Sequence, residues 1–159
     1  MSTSTKSTAA ARLAGVLAIV AGVVLVVAGA TTWVMVRGQL IEENITVAED
    51  AAMFGGQRVD GPLDAYYQAD IINHHALEAS GGLTYAELGQ DDPVRETMMN
   101  ASFLRSSLFT SVIAFGVAAF AAGMGVLFLV LGWALTSLAS GLRTAQAAAG
   151  LDRTQPVRA

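Results

Sequence analysis

The sequence predicts an all-α membrane protein: a two-helix transmembrane hairpin with a small, mainly helical extracytoplasmic domain and room in it for a short β-hairpin. Three observations carry that reading. Two long apolar runs, Leu13 to Val36 and Leu108 to Leu138, are free of charge. Only 14% of the 159 residues are charged and 53% are hydrophobic, with mean hydropathy +0.52. Soluble domains carry roughly 25% charged residues. Acids also collect between the two runs, while bases collect at the ends.

The chain divides accordingly into a tail over residues 1–11, a first span over 12–36, a domain over 37–105, a second span over 106–138 and a tail over 139–159. Residues Met1 to Ala11 are small and polar, with Lys6 as the one charge, and read as a disordered tail. The first span is uncharged from Arg12 to Arg37. Lys6, Arg12 and the small residues Ala28-Gly29-Ala30 also suit a cleaved signal peptide. The apolar run continues past them through Val36, longer than a signal core of about 7–15 residues, which favours an uncleaved anchor. Trp33 and Trp133 stand where an aromatic belt would place them.

Orientation follows from the positive-inside rule. The ends carry Lys6, Arg12, Arg143, Arg153 and Arg158 against Asp152 alone, a net of +4; the central block carries four arginines against twelve acids, a net of −8. Both termini are therefore expected in the cytoplasm of a multi-pass plasma-membrane protein, although Arg37 and Arg105 flank the outer ends. The lipid bilayer is the first partner implied, and the absence of a basic patch argues against nucleic acid.

The central block opens on Gly38-Gln39-Leu40-Ile41-Glu42-Glu43-Asn44, an overhang of the first helix. Ile45-Thr46-Val47-Ala48 and Gln57-Arg58-Val59, around Gly55-Gly56, suggest the short hairpin. Asp60-Gly61-Pro62 starts a helix, with proline at its first turn. Leu63, Tyr67, Ile71 and His74 form its stripe, and Gly81-Gly82 stops it near Ser80. Thr84-Tyr85-Ala86-Glu87 has capping-box spacing. Asp91-Asp92-Pro93 opens the last helix, which meets no breaker before Leu138. That is a run of 46 residues, about 69 Å long, so the second span should protrude some three turns beyond its apolar part. Tail residues Ala145 to Ala159 read as disordered.

Several side-chain groupings bear on chemistry. Asp70, His74 and Glu78 share a helix face at i, i+4 and i+8, a spacing compatible with a divalent metal and equally with a wet helix surface. His75 points about 100° away from them. Asp64, Asp70, Asp91 and Asp92 have no EF-hand spacing. The chain has no cysteine, so disulfides and thiolate chemistry are excluded. Asn44-Ile45-Thr46 and Asn100-Ala101-Ser102 match the glycosylation pattern by chance. Neither span interior holds an ionisable residue, which argues against a transporter or pump. Small residues at Ala14, Ala18 and Gly22, at Ala114, Ala118 and Ala122, and at Ala121 and Gly125 form four-residue ladders suited to helix pairing, within one chain or between copies. The same ladders would arise from a composition rich in alanine and glycine.

The strings His75-Ala76-Leu77-Glu78-Ala79-Ser80-Gly81-Gly82, Thr84-Tyr85-Ala86-Glu87-Leu88 and Asn100-Ala101-Ser102-Phe103-Leu104, with Ser107-Leu108-Phe109-Thr110-Ser111-Val112, resemble an actinobacterial family of small two-span membrane proteins. The likeness covers about Gln39 to Leu135. Members often carry the label of an aromatic ring-opening dioxygenase subunit. The resemblance implies a membrane hairpin with an outer domain, and it brings no catalytic residue, cofactor or metal onto this chain. The expectation is a non-enzymatic accessory or scaffold subunit of the cell envelope, working with a protein partner or a second copy through its helices. The alternatives are an extracytoplasmic ligand-binding or sensing module, and an enzyme of the kind that the label names.

Overall fold

The computed structural model describes residues 2–152. Three helices make up the described chain: α1 over Ser2–Glu42, α2 over Pro62–Ala79 and α3 over Arg95–Asp152. No strand occurs among the described residues. Both α1 and α3 are long and apolar enough to cross a membrane, and they are compatible with a membrane hairpin. In each, only 17% of the most apolar window is buried. The chain forms two compact units, Met1–Ala28 with Ala121–Ala159, and Gly29–Phe120.

In the first unit α1 and α3 run antiparallel, backbone against backbone. A Cβ on Gly22 would stand 2.7 Å from the Gly125 carbonyl oxygen, and one on Gly132 would stand 2.6 Å from the Gly15 carbonyl oxygen. Only glycine allows so close an approach. Thr8, Gly15 and Gly22 are buried on α1, and Gly125, Gly132 and Ala139 on α3, so the seam repeats every seven residues. Seven is the period that keeps one stripe facing its partner in a left-handed helix pair. Ala14 is exposed, Ala18, Ala114 and Ala122 are half-buried, and Gly22, Ala118 and Gly125 are buried. The seam shares Gly22 and Gly125 with the ladders of four and departs from them at exposed Ala14.

The second unit is built around the end of α1, all of α2 and the start of α3. Leu40, Val47, Val59, Ala65, Ala69, Leu108 and Phe115 form its main core, and Trp33 meets Phe115 edge-on at 4.7 Å. Ala76, Leu88 and Met98 form a smaller cluster. Ala65, Ala69, Ile71 and Ala76 are buried on α2, so the expected stripe holds at Ile71 and half-buried Tyr67 and fails at its ends, where Leu63 is 62% exposed and His74 is exposed. Alanine lets α2 lie close to its neighbours, and the larger side chains close the edges. Tyr67 meets Phe54, and Tyr66 meets Phe109.

The start of α2 is as the sequence foretells. Pro62 opens it, and the Asp64 carboxylate accepts the Gly61 N–H at 2.8 Å. It ends at Ser80, with Gly81 and Gly82 at φ +67° and +90°. The short β-hairpin reduces to one antiparallel bridge, Thr46 with Arg58. Val47 N–H reaches Gln57 O and Val59 N–H reaches Ile45 O, both at 2.8–2.9 Å. A turn at Asn44 (φ 52°) before and the cap of α2 after leave only three residues a side to pair. Thr84 to Glu87 forms a single turn, with the Glu87 carboxylate taking the Thr84 N–H at 2.8 Å. Asp92 accepts the Val94 N–H at 2.8 Å, and α3 begins two residues after the proline expected to open it.

Helix replaces tail at both ends. From Ser2 to Ala11 and from Ala139 to Asp152 the chain is helical, where disorder or a tail was expected. Ala9, Ala10 and Ala11, and then Ala145, Ala147, Ala148 and Ala149, are the best helix formers, and nothing interrupts them. Each stretch also extends a helix already nucleated, which costs far less than starting one. Met1 and residues 153–159 of the expected tails lie outside the described residues.

Candidate functional site

The second unit carries two shallow clefts beside α3. One, of about 340 Å³, has a floor of Ile72, Ala76, Ala101 and Leu104, with His75, Thr97 and Asn100 around it. The other, of about 270 Å³, shares Ile72 and Leu104 and adds Leu40, Ile45 and Leu108 as apolar lining, with Glu43, Gln68 and Ser107 at its edges. On α3 the lining positions Thr97, Asn100, Ala101, Leu104 and Leu108 follow helical spacing, so one face of that helix supplies them.

His75 is held by Asp50. Its Nε2 lies 2.6 Å from Asp50 Oδ2. An ionised carboxylate only accepts, so Nε2 carries the proton and Nδ1 is left as an acceptor when the ring is neutral. This bond holds the Asp50 carboxyl below the usual carboxylate range. The loop that carries Asp50 is itself pinned to α2, where Gln68 Oε1 accepts the Ala48 N–H at 2.9 Å. At the opposite side of the same unit, the Thr84 N–H and hydroxyl lower the pKa of Glu87. Arg95 lies over the Tyr85 ring at 4.1 Å and donates to the Leu88 carbonyl, which fastens the Thr84–Glu87 turn to α3.

The Asp70, His74 and Glu78 row does not come together. His74 Nε2 and Glu78 Oε1 are 3.3 Å apart, both side chains about two-thirds exposed, and Asp70 is exposed farther along the helix. Among the described residues no three of His, Cys, Asp and Glu converge as metal ligands. Asp64 is spent on the α2 cap and Asp92 on the approach to α3. The two histidines turn to different acids, one local and one 25 residues away.

Sequence reasoning missed Asp50 and the cleft. No local pattern links Asp50 to His75, because the Gly55-Gly56 loop brings them together. The α3 face was legible in principle, since Thr97, Ala101, Leu104 and Leu108 recur at helical spacing. Comparison with family models, curated proteins and solved structures gives no match to this chain.

Proposed function

We propose that this chain is a non-enzymatic integral membrane protein, an accessory or scaffold subunit of the cell envelope. The single observation that carries the reading is where its apolar surface lies. Leu13, Leu17, Val24, Val27 and Val34 on α1, and Ile113, Phe120, Leu131 and Trp133 on α3, are each more than half exposed. Water would penalise that area by about 25 cal/mol per Å², whereas lipid would not. The glycines that pair the two helices meanwhile occupy the inward seam. The 37–105 block is then the extracytoplasmic part and both termini are cytoplasmic, as the charge distribution suggests. Its small core and exposed aromatic edges suit a partner-holding role better than a reaction.

The second reading, a ligand-binding or sensing module, is favoured by the paired clefts on α3. Purification of the full chain in mild detergent separates the two. The scaffold reading expects a protein partner in fixed stoichiometry that survives gel filtration. A monodisperse chain that carries only a small molecule would replace it with the second reading.

A further inference from the structure

We infer that the two clefts are one binding groove for a single acyl chain with a hydrogen-bonding head. They lie side by side on α3 and share Ile72 and Leu104 in their linings. Along α3 the groove runs from Thr97 to Leu108, about 16 Å at 1.5 Å per residue. Its floor is apolar throughout: Ile72, Ala76, Ala101 and Leu104 in one cleft, Leu40 and Leu108 in the other. Each cleft has about the volume at the lower end of small-molecule sites, and the elongated pair suits a chain better than a compact ligand.

The two ends of the groove differ. The Thr97 end presents a hydroxyl, the Asn100 amide and the Nδ1 of His75, whose other nitrogen is committed to Asp50. These groups both donate and accept, so they fit a carboxylic acid, hydroxyl or ester head. The Leu108 end begins the apolar run of α3. A chain entering from lipid at the Leu108 end would lead with its head, which comes to rest uppermost beside Thr97. Glu43 edges this end, and its carboxylate would disfavour an anionic head there, which sets the direction.

This inference rests on the membrane placement proposed above. The test uses the full chain in phosphatidylcholine liposomes with one of two photoreactive probes, hexadecanoic acid bearing a mid-chain diazirine or phosphatidylcholine bearing the same chain. Flotation and adducts on the span peptides report membrane placement. Adducts on the Ile72–Ala76 and Ala101–Leu104 peptides report the groove. Groove adducts should fall at least tenfold with excess unlabelled hexadecanoic acid, while span adducts persist. Ala101→Trp, which fills the floor, should remove groove adducts alone, and His75→Ala should lower them several-fold. Labelling by the free acid alone identifies a free fatty acid as the source, and labelling by both identifies membrane lipid. A floating protein labelled only on its spans overturns the groove, as do groove adducts that resist competition. A protein that does not float overturns both readings.

Discussion

At the residue scale the informative contact is Asp50 with His75. The His75 hydrogen bond lowers the Asp50 pKa, so the folded state binds that proton less readily than the unfolded chain. A depressed carboxylate contributes stability above its unfolded pKa and loses it as pH falls through the folded value. The His75 and Asp50 side chains are 46% and 62% exposed, so the effect is small and screened by salt. Asp50→Asn should therefore lower the thermal midpoint of the detergent-purified protein slightly near pH 7, by a difference that closes in the acid range below the usual carboxylate pKa. Melting curves of both proteins from pH 7 to pH 3 give the answer. A difference that widens on acidification would contradict the assigned geometry.

Among elements, the glycine seam sets the strongest expectation. Any side chain at Gly22 meets the Gly125 carbonyl oxygen and the Leu129 backbone nitrogen, at 2.7 and 3.0 Å from its Cβ, and backbone cannot step aside cheaply. Gly123 faces open space, with nothing within 4 Å. Gly22→Leu should destabilise the folded protein by roughly 1–3 kcal/mol or more, and Gly123→Leu should leave it no less stable than the parent. Unfolding in detergent, followed by tryptophan fluorescence, compares them; equal losses would mean that the seam is not where these helices meet.

The seam also shows why some features were legible in the sequence and others were not. Asp60-Gly61-Pro62 and Gly81-Gly82 act locally, through a carboxylate cap, a fixed φ angle and positive φ, so they could be read from neighbouring residues alone. The uncharged runs act through length and composition. The packing face of α1 and α3 does neither. Alanine and glycine are so frequent there that rows of four and rows of seven can both be drawn, and only the antiparallel partner selects between them. Asp50–His75, the paired clefts and the alanine face of α2 likewise depend on chain segments far apart in sequence.

For the whole molecule, orientation is directly measurable because the chain has no native cysteine. Gly89→Cys should react with an impermeant maleimide on intact spheroplasts, and Ala147→Cys only after permeabilisation. The reverse pattern would turn the protein over in the membrane and place the 37–105 block in the cytoplasm.

The enzyme alternative raises one chemical question about the whole molecule, namely ring-opening dioxygenation. Extradiol enzymes hold iron with two histidines and a carboxylate while leaving positions open for oxygen and substrate. The only two histidines are consecutive on α2, and they turn apart, His74 toward Glu78 and His75 toward Asp50. One ion cannot draw on both rings without unwinding the helix. Intradiol enzymes use tyrosines with histidines, but Tyr66 and Tyr67 are neighbours on α2 that turn to Phe109 and Phe54 respectively, and Tyr85 stands apart. Two copies, each giving one histidine, remain the one arrangement with enough ligands. Protein loaded with ferrous iron in detergent should accordingly show no oxygen uptake with catechol or protocatechuate above the iron-only rate. Turnover abolished by His74→Ala or by His75→Ala would establish a shared site between copies and make the protein an enzyme.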